Sequence, residues 1–137
     1  MKIDVTHELA TLNGAYTRRG LRHRRLRDFD VGASSMLGVA LLERSTSPDH
    51  WEVHDGGDEL LFVVGGRIGV EICRADGPSD WQTISSGQCL VIPRGVAHAV
   101  IVLEEAAVVF VTPREGSRSW QAADVTQSPQ PLEASPS

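Results

Sequence analysis

The chain predicts an all-β domain of antiparallel strands, a double-sheet jelly roll or small barrel. Three observations carry this. Between residues 31 and 112, apolar runs of roughly five to eight residues alternate with clusters of Gly, Pro, Asp and Ser, the spacing of a sandwich or barrel. The pair Gly65-Gly66 separates "LLFVV" from "RIGVEI", and two glycines there signal a two-residue hairpin, because primed turns need positive φ. No segment sustains an apolar period of 3.6 residues, so no long helix is expected in the body.

Taken in order, residues 1–30 are a polar, Arg-rich lead-in with room for a short strand or helical turn. The body, 31–112, predicts strands at 35–43, 50–54, 59–64, 67–74, 80–84, 88–92, 97–103 and 106–112. "DGGD" at 55–58 and "ADGPSD" at 75–80 mark further tight turns. Residues 113–137 are rich in Ser, Pro and Gln. They bury too little to offset their ordering entropy, so a tail that is mobile at least beyond Trp120 is expected. The whole length of 137 residues suits one domain with a modest core.

Charge and composition narrow the function classes. The net charge is −5, but residues 1–30 hold seven basic against four acidic residues. The cluster "RRGLRHRRLRD" is read as a solvated segment that pairs with the acidic body. An acidic domain repels phosphate backbones and no nucleic-acid motif accompanies the cluster, so no nucleic-acid partner is expected. The longest apolar runs are far too short to span a bilayer, so no membrane partner is expected either. The opening "MKIDVTHELA" lacks the apolar core of a signal peptide, and the expected location is cytoplasmic. Cys73 and Cys89 sit inside apolar runs, outside any Cys-x-x-Cys pair, and read as free thiols.

The chemistry concentrates in "WEVHDGGDELLFVVGG", residues 51–66. Residues two apart on a strand share a face, so Glu52 and His54 point the same way. If 55–58 close a four-residue hairpin turn, Glu59 falls opposite His54. Opposed residues have Cβ atoms about 5 Å apart. Three N and O donors would then converge as a metal ion requires, with ligand distances near 2 Å. A second stretch, "GQCLVIPRGVAHAVIV", ends a strand at Pro93, turns through Pro-Arg-Gly and starts the next strand at His98. Pro93 and Gly95 constrain that turn enough to aim one His at a distant site.

These two stretches resemble the paired motifs of the cupin superfamily. The first reads Glu52-x-His54-x4-Glu59-x6-Gly66 and the second Gly87-x5-Pro93-x-Gly95-x2-His98, with 20 residues between. The sequence departs in three places. Glu52 stands where the family usually has its first His, Ser47 where it has an opening Gly, and Val102 where it has a terminal Asn. The resemblance implies a double-stranded β-helix, or jelly-roll barrel. It also implies a divalent metal ion (Mn, Fe, Ni or Zn) held by His54, Glu59 and His98, with Glu52 at the fourth position. Glu52 is then a ligand, or else an orienting group or general base and so a catalytic residue.

By strand parity Leu61, Val63, Val100 and Val102 line the cavity, and His50 sits at its mouth or at a solvated strand start. Core packing would place the four aliphatic residues equally well. Arg94 reads as a solvated turn residue, and Phe62 and Phe110 as core. The function implied by the resemblance is a metal-dependent enzyme of dioxygenase, isomerase, decarboxylase or cyclase type acting on a small molecule. A non-catalytic ligand-binding or sensor protein is the alternative. A homodimer paired through edge strands is expected.

Overall fold

The computed structural model describes residues 1–12, 17–18, 21–121 and 133–134. Along the chain run β1 (Lys2–Asp4), α1 (Val5–Ala10), β2 (Thr17–Arg18), β3 (Leu21–Arg22), β4 (Ser35–Leu42) and β5 (His50–His54). They are followed by β6 (Glu59–Ile72), β7 (Asp80–Ser85), β8 (Gln88–Ile92), β9 (His98–Pro113), β10 (Ser117–Gln121) and β11 (Glu133–Ala134). All sheet pairings are antiparallel. The fold is an all-β jelly roll, as the sequence predicts.

Two long Val-rich strands organise it. β6 and β9 pair along most of their length, from Leu60↔Val111 to Ile72↔His98. Their halves then recruit different neighbours. The first half of β6 pairs with β8, and the far half of β9 with β4. The second half of β6 pairs with β7, and the start of β9 with β5, which pairs in turn with β10. β1 adds to β8. One ladder thus joins the two halves of a single nine-stranded sheet. Leu61, Val63, Leu90, Ile92, Ala106 and Val108 from one meet Ile68, Val70, Ile84 and Val102 from the other in a single core. Val63, Val70, Ile84 and Leu90 are fully shielded from solvent. Truncating such a side chain to Ala costs about 2–5 kcal/mol.

The expected hairpin at Gly65-Gly66 does not form; β6 runs straight through it. What forms is an irregularity in the β6–β9 ladder. Val63 pairs with Val108 before it and Ile68 with Val102 after it, a slip of one residue. A one-residue slip moves every following side chain to the other face. Glu59, Leu61 and Val63 point inward by odd number, and Ile68 and Val70 by even number. Gly66 has φ 77°, and a Cβ there would strike the Glu105 carbonyl. The positive φ the glycines supply serves a bulge rather than a reversal. For the same reason the predicted strands 97–103 and 106–112 are one strand, β9.

The expected hairpin across 55–58 is also absent. β5 and β6 are not partners; β9 lies between them in the strand order. The connecting backbone is bound elsewhere. Asp55 N–H donates to the Gly116 carbonyl at 3.0 Å and Asp58 N–H to the Asp30 carbonyl at 2.7 Å. A Cβ on Gly56 would collide with the Glu115 carbonyl, and one on Gly57 with the Val31 backbone, so these glycines permit close backbone approach.

The ends differ from the sequence outline in detail. The segment from 113, expected to be mobile at least beyond Trp120, supplies the last residue of β9 and all of β10, where Trp120 is buried beside Trp51 in register. Ordering there is offset by burial that composition alone hides. Most of the remaining tail, 122–132 and 135–137, lies outside the described residues, as do the side chains of Arg18, Arg19 and Arg22. Arg24 pairs with Glu8 at 2.5 Å, within the lead-in rather than with the body. Phe62 is half-buried on the outer face of its sheet, whereas Phe110 packs against the core. Cys73 and Cys89 are free thiols. No helix among the described residues is long and apolar enough to cross a membrane.

Candidate metal centre

Four polar side chains meet at one end of the core. Glu52 and His54 come from β5, and His98 opens β9, directly opposite Glu52 in register. Glu59 opens β6 and reaches them from the half of the sheet that pairs with β8. The turn before His98 is tied to its neighbours. Gly95 N–H donates to the His54 carbonyl at 2.9 Å, and Arg94 N–H to Asp58 Oδ1 at 2.8 Å. The Arg94 guanidinium stays exposed and pairs with Asp30 at 3.2 Å.

The donor atoms converge. Glu52, His54 and His98 each offer one within 4.8 Å of the others. Glu52 Oε2 is 3.8 Å from His54 Nε2, and Oε1 is 3.9 Å from His98 Nε2. Glu59 is closer still, with Oε1 3.1 Å from His98 Nε2 and Oε2 3.3 Å from His54 Nε2. Ligands about 2.1 Å from a common ion stand roughly 3.0–3.5 Å apart, so these separations fit a shared ion with small adjustment. His54, Glu59 and His98 are buried, while Glu52 is one-third exposed, at 33%.

Among the described residues, the buried Nε2 atoms of both histidines have no hydrogen-bond partner. The Glu59 oxygens stand close enough to attract them, at 3.3 Å from His54 Nε2 and 3.1 Å from His98 Nε2. An unpartnered buried nitrogen is costly, and two aimed at one point fit a divalent cation. The opposite ring nitrogens are engaged. His54 Nδ1 is 2.8 Å from Ser117 Oγ, and His98 Nδ1 is 3.2 Å from the Val96 carbonyl. Thr112 Oγ1 donates to Glu59 Oε2 at 2.5 Å.

Electrostatics follow from this packing. Burial opposes charge on Glu59, but the adjoining His54 and His98 rings override it and hold the carboxyl at about 2, down from 4.5. Burial likewise opposes charge on His98; Glu59 first, then Glu52, overcome it and raise the imidazole above its usual 6.5. Without an ion, Glu59 and His98 thus each favour the charged form of the other.

The structure thus groups Glu52, His54 and His98 as a possible metal-binding set, and Glu59 stands against both imidazoles, arriving from the start of β6 rather than across a hairpin. His50 is half-exposed, with Nε2 3.8 Å from Glu52 Oε1. Leu61, Val63 and Val102 belong to the buried core, and Val100 packs against it. Sequence reasoning missed Thr112 and Ser117. A lone Thr ending the apolar run "AAVVFVT" is a weak signal for the first. Nothing local marks the second.

Residues 39–113, more than half of the chain, match the family model described as the cupin domain. No curated protein matches the chain. Among solved structures it is similar to a cupin-2 domain containing protein from Shewanella frigidimarina. Identity is 21% and the TM-score 0.46, over 82% of this chain and 94% of that one. It is similar to hydroxypropylphosphonic acid epoxidase from S. wedmorenis at 18% identity and TM-score 0.45, over 57% and 41% of the two chains. It is similar to Bacillus subtilis oxalate decarboxylase, a protein with Mn(II) centres, at 14% identity and TM-score 0.49, over 64% and 24%.

Proposed function

The chain belongs to the cupin domain family, and on that premise we propose a metal-dependent enzyme acting on a small organic molecule inside the barrel. The reaction is of dioxygenase, isomerase, decarboxylase or cyclase type. One observation carries the proposal: the buried, unpartnered Nε2 atoms of His54 and His98 converge on two carboxylates.

Under this reading Glu52, His54, Glu59 and His98 hold a divalent Mn, Fe, Ni or Zn ion. Two carboxylates balance its charge, and mixed oxygen and imidazole donors suit these metals. Such an ion supplies a Lewis acid for a carbonyl or enolate oxygen and, as iron, a means of activating oxygen. The chain's own groups do the rest. Glu52 alone among the four meets both solvent and the imidazoles, so it is placed to move a proton. Leu61, Val63, Val100 and Val102 form the apolar wall that keeps the interior dry, and His50 stands at the mouth.

A second reading, a non-catalytic ligand-binding or sensor cupin, draws support from the carboxylate at position 52. Elemental analysis of the purified protein tests the metal. Stoichiometric Mn, Fe, Ni or Zn, present or restored on addition, is expected. No uptake of any of them overturns the enzyme proposal.

We also propose a homodimer through the outer face of β4. Leu37, Val39 and Leu41 there are 76%, 79% and 86% exposed. Their cross-strand partners are Val111, Val109 and Ala107, and Val111 and Val109 pair onward with Leu60 and Phe62. Paired residues share a face, so this surface is apolar across three strands and has no charge to recruit a charged partner. A second copy of the same face is self-complementary, and a stable interface of this kind buries about 800 Å² per partner.

A further inference from the structure

We infer that Ser117 is a positioning residue for His54, whose hydroxyl selects the Nδ1–H tautomer and so turns the Nε2 lone pair into the centre. The inference rests on the metal-centre reading above. A neutral imidazole has one N–H and one lone pair, and its partners decide which nitrogen carries which. Ser117 Oγ lies 2.8 Å from His54 Nδ1 and 3.3 Å from the Pro113 carbonyl. A carbonyl only accepts. The serine proton therefore goes to Pro113, and the oxygen presents a lone pair to Nδ1, which must donate. The free lone pair is left on Nε2, the buried atom that has no hydrogen-bond partner.

His98 is set in the same sense. Its Nδ1 faces the Val96 carbonyl at 3.2 Å, again an acceptor only. The two rings thus present matching lone pairs, one through the backbone and one through a side chain that can be replaced. A competing influence acts on His54. Glu59 Oε2, 3.3 Å from Nε2, favours a proton on that nitrogen. Ser117 opposes it.

The placement of Ser117 gives β10 a role. The family match ends at residue 113, so β10 lies outside it. In register Ser117 faces His54, Ser119 faces Glu52 and Gln121 faces His50. A strand that composition assigns to a tail therefore borders the whole β5 row of the centre, and its docking holds the His54 ring in place.

The test uses the full chain carrying Ser117→Ala or Ser117→Thr. In metal-free protein at alkaline pH, the ¹⁵N shifts of the His54 ring should show Nδ1 protonated in the wild type. They should move toward the Nε2–H form in Ser117→Ala and return in Ser117→Thr. Chelator competition with Mn(II) and Zn(II) should show about 10–100-fold weaker binding for Ser117→Ala, restored by Ser117→Thr. A merely structural role would lower the unfolding midpoint without moving the tautomer. That result, or a wild-type His54 protonated at Nε2, overturns the inference. The tautomer measurement needs no metal. It therefore decides the role of Ser117 even if the wild type binds no ion, an outcome that would sink the metal-centre reading separately.

Discussion

Glu52 lies directly opposite His98 on the neighbouring antiparallel strand, with its Oε1 3.9 Å from the imidazole Nε2. The other oxygen is 3.8 Å from His54 Nε2. The β5–β9 register alone thus sets a partly exposed carboxylate beside both rings. Replacing it by the isosteric amide separates two roles. Used as a general base, Glu52 contributes about 10²–10⁴-fold to turnover. Glu52→Gln should then lose that factor with its metal content intact, by elemental analysis beside an activity assay. Loss of the metal would make Glu52 a ligand instead.

His98 is both a proposed ligand and the buried partner of Glu59. His98→Ala should abolish metal uptake. It should also leave the Glu59 carboxylate without one of its two imidazoles, and stripping one partner from a buried ion pair costs about 3–5 kcal/mol. Urea unfolding of the metal-free variant measures that loss.

The pH dependence should have opposite signs with and without metal. Glu59 is depressed to about 2, so its contribution is present above its unfolded value of 4.5 and lost as pH falls toward 2. His98 is raised, so its contribution is full below 6.5 and lost as pH rises through the higher folded value. The metal-free protein should gain most from this pair between pH 4.5 and 6.5 and weaken above it. Metal binding needs neutral imidazoles, so the extra stability from added ion should grow over the same rise. Unfolding midpoints with chelator and with metal, at about pH 5.5 and pH 8.5, check both slopes.

Thr112 donates to Glu59 Oε2 from the end of β9, inside the core. Thr112→Val keeps the shape and deletes the donor. A hydrogen bond to a charged group contributes about 1.5–3 kcal/mol, and the metal-free variant should lose stability on that scale. A midpoint equal to wild type would show that water or another donor replaces the hydroxyl.

On the outer face of β4, Val39 is 79% and Leu41 86% exposed. Leu41→Glu or Val39→Glu should convert a dimer into the 14.8 kDa monomer without unfolding it, as read by sedimentation. Wild type sedimenting as that monomer at micromolar concentration would remove the dimer proposal.

Much of the centre is legible in sequence because its signals are local. A spacing of two places Glu52 and His54 on one strand face whatever the rest of the chain does. Pro93 and Gly95 bend the backbone just before His98, and odd-numbered parity correctly turns Leu61 and Val63 inward with Glu59. Alternating apolar runs likewise determine the all-β class, because strand period depends only on neighbouring residues.

Partner choice is a different kind of information. Gly65-Gly66 supports either a hairpin or a bulge. It becomes a bulge because both halves of β6 find their mates on β9, the second half one residue out of step. Glu59 reaches His54 from a strand that is not its partner because the loop between them is bound to residues near 30 and 116. Ser117 orients a histidine 63 residues away only because β10 docks on β5. The sequence by itself determined the strand class, the side-chain types of the centre and the faces they occupy. Which strands meet, and hence what surrounds each ligand, was decided by burial and hydrogen bonding across long chain separations.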